Sequence, residues 1–207
     1  MRFKNLTTIL LSTIMIFLPC SLSWAMSPGE VIVEMADQSL KILQDPSLQG
    51  TDKIAERKQK LWELLGPVFN FDEISRMALG QHWNNYTDQE KEEFTQIFTD
   101  VLKSTYLDRT DSYAGEKVIL IKEIVKDNRS KVQTNFITKD GEKAAVDFSL
   151  KNNNGTWKIY DVIIEGVSTV ANYRSQFNSI LSKSPFAELI KKLKEKELEL
   201  SNYNKEA

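Results

Sequence analysis

The sequence has a single cysteine, Cys20, and a single histidine, His82. One cysteine cannot form an internal disulfide, and one histidine with no second at helical spacing makes no histidine-pair metal motif. There is no Gly-x-Ser-x-Gly elbow, no phosphate-binding loop of the Walker type and no Gly-x-Gly-x-x-Gly fingerprint. The common routes to serine hydrolysis and nucleotide binding are therefore unmarked. Charge of one sign is also lacking, with 27 basic against 29 acidic residues. Nothing in that balance points to a nucleic-acid binder, which needs a basic stripe or patch. No repeat, low-complexity tract or linker divides the chain.

Long apolar runs are scarce as well. The apolar stretch at the start, residues 6–18, has 13 residues, short of what a membrane-spanning helix needs. Arg2 and Lys4 precede it, and Ser23 and Ala25 supply the small residues of a cleavage site before Met26. This is the three-part layout of a secretory leader. Pro19 stands directly before Cys20, a poor match to lipoprotein processing, so cleavage after Ala25 is expected. The cysteine then leaves with the leader. What remains, residues 26–207, suits one domain and carries 25 basic against 29 acidic residues.

Past the leader, apolar residues return at spacings of three and four. They predict helices over residues 30–43 (Ile32, Met35, Ala36, Leu40, Leu43) and 52–65 (Ile54, Leu61, Leu64, Leu65). Asn70 with Glu73 and Thr87 with Glu90 read as capping boxes. They open a short helix closed by Gly80 and a long one over residues 88–109, with the stripe Phe94, Ile97, Phe98, Val101, Leu102 and Tyr106. The period then drops to two. Strands are predicted over residues 117–125, 129–138, 143–151 and 156–165, joined by Asp127-Asn128, Asp140-Gly141 and Asn154-Gly155. On one face the pattern places Val132, Thr134 and Phe136, then Ala144, Val146, Phe148 and Leu150, then Tyr160, Val162 and Ile164. Gly166 breaks the last strand, and helical spacing resumes in Val167, Val170, Tyr173, Phe177, Ile180 and Leu181, with a final helix from Ser184-Pro185. The expected fold class is α+β: helices packed on a four-stranded antiparallel meander.

Few residues suggest chemistry. Asp161 interrupts an apolar strand; it is either a general base facing an internal pocket or a carboxylate hydrogen-bonded or solvated on the other face. His82 reads more simply as a hydrogen-bonded or surface histidine than as a catalyst. Arg174 could meet an anionic head group or a partner's carboxylate, or stand in solvent.

Three stretches carry a resemblance: residues 160–177 (YDVIIEGVSTVANYRSQF), residues 71–83 (FDEISRMALGQHW) followed by Phe94, Phe98, Thr105 and Tyr106, and residues 113–118 (YAGEKV). Their order and content resemble the MlaC family, the toluene-tolerance periplasmic lipid-binding proteins, across nearly the whole chain after the leader. One departure is Ser184-Pro185, where a glycine-containing link would be expected. The resemblance implies an NTF2-like roll enclosing a deep apolar pocket, no catalysis, no metal and no cofactor, with phospholipid as cargo. It further implies two docking partners, an outer-membrane lipoprotein–porin complex and the MCE-domain subunit of an inner-membrane ABC transporter. The side chains that would line the pocket are Phe94, Phe98, Leu102, Tyr106, Phe136, Val146, Phe148, Tyr160, Val162, Ile164, Val167, Val170, Tyr173 and Phe177, with Arg174 a contact for head group or partner. The rival reading is a pocket enzyme on the same roll with Asp161 as base. A carrier is physically sensible: a lipid with about 30 methylenes, each worth about 0.8 kcal/mol, would cost on the order of 20 kcal/mol bare in water.

Overall fold

The helices begin where the side chains can satisfy their first amide groups. Ser27 caps α1 (Pro28–Gln44): its Oγ accepts from the Glu30 amide and the Glu30 carboxylate accepts from the Ser27 amide. This pairing starts the helix two residues ahead of the start at residue 30 expected from periodicity. Asn70 caps α3 (Phe71–Leu79), accepting from the Glu73 amide at 3.1 Å. Thr87 and Glu90 close the reciprocal box that opens α4 (Asp88–Leu107). Between α1 and α3 lies α2 (Ile54–Leu65).

The computed structural model describes residues 26–107, 117–138 and 140–206. The leader, residues 108 and 109 of the expected long helix, and residues 113–116 of the third motif lie outside them.

Four strands follow: β1 (Lys117–Lys126), β2 (Arg129–Ile137), β3 (Lys143–Asn153) and β4 (Thr156–Ile164). All pair antiparallel with their sequence neighbours. Asn154 and Gly155 both adopt positive φ, 52° and 90°, the backbone that a two-residue hairpin of matching twist requires. The same geometry recurs at Glu165 and Gly166, φ 48° and 79°. Here the expectation is corrected. Gly166 does not hand the chain straight to a helix; it turns it into a fifth strand, β5 (Val167–Ser168), which pairs with Ile163 and Ile164. Helix α5 (Thr169–Leu181) starts only after Ser168, whose Oγ accepts from the Ala171 amide. Helix α6 (Phe186–Glu206) completes the chain. The Ser182–Pro185 link closes without glycine: the Ser184 amide reaches the Ile180 carbonyl at 2.9 Å and the Glu188 amide that of Pro185 at 3.0 Å.

The sheet order is β1-β2-β3-β4-β5. Helix α1 packs on one face, where Ile32 is fully buried against Val132, Val146, Phe148, Leu150 and Ile159. Its approach to β1 is close. A Cβ on Gly29 would lie 2.5 Å from Glu123 Oε2, the carboxylate that accepts from the Gly29 amide. A second core joins α3, α4, α5 and α6 through Ile74, Leu79, Phe94, Phe98, Val101, Phe177 and Leu189. Phe69 packs against both cores, and its neighbour Asn70 donates to the Ile159 carbonyl at 2.8 Å.

Candidate functional site

The β3–β4 register decides which side chains share a face. Phe148 pairs with Val162 and Val146 with Ile164, but Ser149 pairs with Asp161 while Leu150 pairs with Ile159. Tyr160 is thus the extra residue of a bulge, and below it the alternation shifts by one. This corrects the expected face. Ile159, not Tyr160, joins the apolar row. Tyr160 packs instead against the helical core, with the Arg129 guanidinium 5.2 Å from its ring.

The residues named as pocket lining divide into three groups. Phe94, Phe98, Leu102, Val170 and Phe177 are buried in the helical core, with Tyr173 and Tyr160 packed on its margin. Their rings interlock: Phe98 lies 5.2 Å from Phe177 and 4.9 Å from Tyr173, both edge-on, and Phe94 lies 5.6 Å from Phe177. Phe94 and Phe98 have no exposed surface. The second group is on the sheet: Val146, Phe148, Phe136 and Val162, gathered with Val132, Leu150 and Ile159. The third is a rim. Tyr106 and Ile164 are each 43% exposed and Val167 62%, and the Tyr106 hydroxyl lies 3.4 Å from Thr169 Oγ1 at the start of α5.

Sheet and rim form one graded strip. Leu150 and Ile159 are fully buried, Phe148 and Val146 nearly so, Val162 and Phe136 half-buried, and Ile164 open. The apolar surface therefore runs outward along β3 and β4 from the part that α1 covers to the β4–β5 turn. Periodicity missed Ile159, Phe69 and the α1 residue Ile32 as members of this surface. A bulge and a contact between distant segments leave no mark in spacing.

The polar candidates are held by neighbours. Asp161 accepts from Ser168 Oγ at 2.6 Å and from the Val170 amide at 3.0 Å, so its carboxylate fastens the start of α5 to β4. His82 Nε2 is 2.9 Å from Asn178 Oδ1, and Gln81 also donates to that oxygen at 3.1 Å. Both belong, with Arg174, Leu79, Ala171, Ser175 and Asn178, to a surface groove of about 350 Å³ between α3 and α5. Gly80, φ 54°, lets the Arg174 stem lie against the backbone; a Cβ there would sit 3.0 Å from Arg174 Cδ. A second groove, about 460 Å³, is lined by Asp72, Trp83, Lys91, Glu92, Thr95 and Gln96. Two acyl chains need roughly 1,000 Å³ of mostly apolar wall; both grooves are too small and too polar for that cargo. Among the described residues no cluster of three metal-ligating side chains occurs, and no helix is long and apolar enough to cross a membrane.

Comparison with known proteins places this geometry. The chain is 26% identical over 165 residues to the intermembrane phospholipid transport system binding protein MlaC of Haemophilus influenzae, spanning 77% of this chain and 73% of that one. In structure it resembles a phospholipid-binding protein from Ralstonia solanacearum solved in complex with a phospholipid. That likeness has a TM-score of 0.74 at 22% identity, over 85% of this chain and 99% of the other. The sequence profile of the MlaC protein family matches residues 33–195. The chain belongs to the MlaC family.

Proposed function

We propose that this protein is a periplasmic phospholipid carrier, with the graded apolar strip on β3 and β4 as the seat of the acyl chains. One observation carries the reading: the strip is continuous, passing from full burial at Leu150 and Ile159 to an open rim at Ile164 and Val167. A lipid entering at the rim would lay its chains along Val162, Val146 and Phe148 and keep its head group toward solvent. The named functions of the Haemophilus influenzae relative and of the Ralstonia solanacearum neighbour support the cargo. In this reading residues 26–207 form a single carrier domain, released by cleavage after Ala25. The carrier needs no cofactor and does no catalysis, and it exchanges phospholipid between an outer-membrane lipoprotein–porin complex and the MCE-domain subunit of an inner-membrane ABC transporter. Arg174 serves docking, because its groove shares no residue with the strip. The hydrogen bonds that Asp161 accepts from Ser168 and from the Val170 amide support a positioning role at the start of α5 over that of a base.

Native mass spectrometry of freshly purified protein tests the cargo. A phospholipid adduct on a chain beginning at Met26 is expected. A bare mass overturns the carrier, and a species beginning at an acylated Cys20 overturns the free-moving form.

A further inference from the structure

The sheet has a second face, and among the described residues no helix covers its outer half. Cross-strand pairs put Lys117, Ile119, Lys122, Ile124 and Lys126 of β1 on one side with Asn135, Gln133, Lys131 and Arg129 of β2. Val118, Leu120, Glu123 and Val125 share the other side with Val132 and Phe136, the side that α1 packs on. Of the cations, Lys131 pairs with Asp147 and Arg129 with the buried Glu73. Among the described residues no carboxylate pairs with Lys117, Lys122 or Lys126, and all three are exposed. A chain of net charge −2 has thus gathered cations on one face. Between the lysines stand Ile119 and Ile124, 43% and 45% exposed, and β1 is the free edge of the sheet, with Ile121 and Val125 at 56% and 50%.

We propose that this face and edge dock the protein onto an anionic lipid surface, lysines at the phosphates and isoleucines in the interface. Charge complementarity selects an anionic occupant and disfavours a second copy, which would oppose lysine to lysine. The shape selects a lipid surface over an added protein strand. The register slips between Leu120 and Lys122, so Ile121 offsets the free hydrogen-bonding row midway along β1. A straight strand could pair with only part of such an edge, and edge lysines discourage strand addition. A fluid head-group layer makes no such demand and accepts cations spread over two strands. Docking of this kind would bring a carrier to the membrane it loads from. In that respect the inference rests on the carrier reading, although the adhesion itself does not.

Co-sedimentation of the full mature chain with vesicles tests it, comparing phosphatidylcholine alone with phosphatidylcholine mixed with phosphatidylglycerol. The parent should bind the anionic vesicles only. Binding should weaken as salt shortens the Debye length from about 10 Å toward about 3 Å. The triple variant Lys117→Glu, Lys122→Glu, Lys126→Glu should lose about a hundredfold in affinity. The same charge change on α6, Lys191→Glu, Lys192→Glu, Lys196→Glu, should bind within a few-fold of the parent. Ile119→Ser with Ile124→Ser keeps the charge and should weaken binding several-fold. Equal loss in both triple variants, equal binding to neutral vesicles, or no vesicle binding by the parent overturns the proposal. So does retention on immobilised polyglutamate without vesicle binding, which assigns the face to an acidic protein. Lipid carried through purification is measured on the same samples. If the parent is bare, the carrier reading fails while the vesicle result still decides the face.

Discussion

Asp161 shows how one side chain can be tied to the start of a helix. A carboxylate in an apolar strand draws attention, yet it receives the Ser168 hydroxyl and the Val170 amide where α5 leaves the sheet. Removing it strips a partner from a helix start. Asp161→Ala should lower stability by about 1–2 kcal/mol, and Asp161→Asn, which keeps an acceptor, by less. Thermal unfolding reads the loss, and both variants should still purify with phospholipid. A folded Asp161→Asn protein that binds lipid normally yet loses a measurable turnover would restore the catalytic reading. His82 is held in the same way by Asn178, and His82→Gln should leave lipid occupancy within a few-fold of the parent.

Between elements, two further contacts fasten helices to the sheet. Glu73 on α3 is buried and meets Arg76 at 2.7 Å, Lys151 of β3 at 3.3 Å and Arg129 of β2 at 3.7 Å. The Arg76 hydrogen bond, aided by its charge and by Lys151, holds the Glu73 carboxyl below its ordinary value against the opposing effect of burial. A carboxyl depressed in the folded state stabilises it above the unfolded pKa, and that stability is lost as pH falls through the folded pKa. The stabilisation from Glu73 should therefore fall away as pH drops from the ordinary glutamate range through its depressed value, and Glu73→Gln should flatten that limb. An unchanged acid limb in the variant would mean that other carboxyls govern it. The second fastening is Gly29, where α1 meets β1. Gly29→Ala pushes aside the Glu123 carboxylate that its own amide binds, so a loss on the order of that one hydrogen bond, about 1 kcal/mol, is expected in chemical denaturation.

Across the whole molecule, two apolar bodies differ in exposure. The helical core is a buried aromatic stack, whereas the sheet surface opens along a gradient to the rim. Opposite outcomes should follow from changes in each. Phe98→Ala leaves a void among Phe94, Tyr173 and Phe177 and should cost about 3–5 kcal/mol. Val162→Trp adds a ring on the half-buried strip, where an acyl chain would lie. That variant should retain near-parental stability when delipidated and purify with little phospholipid. Unfolding curves paired with the phospholipid-to-protein ratio separate the cases. Strong destabilisation by Val162→Trp would place the chains elsewhere.

The elements themselves were legible because their causes are local. A capping box spans four residues, so Asn70 with Glu73 and Thr87 with Glu90 mark their helices in any context. Two-residue alternation and Asn154-Gly155 likewise located β3, β4 and their turn. Family membership was legible too, because residues 160–177 form a long ordered motif inside the matched region. Tertiary structure alone decided which apolar residues meet. The bulge at Tyr160 moves one side chain to the opposite face and brings Ile159 into the strip, a shift of register that composition cannot encode. The helical and sheet apolar sets have the same periodicity whether they share one pocket wall or form two bodies; the packing of α1 on the sheet and of α5 on α4 separates them. The lysines of β1 vanish into a near-neutral total until pairing with β2 turns them to one face. Charge and apolarity belong to residues, but a surface belongs to the register that aligns them.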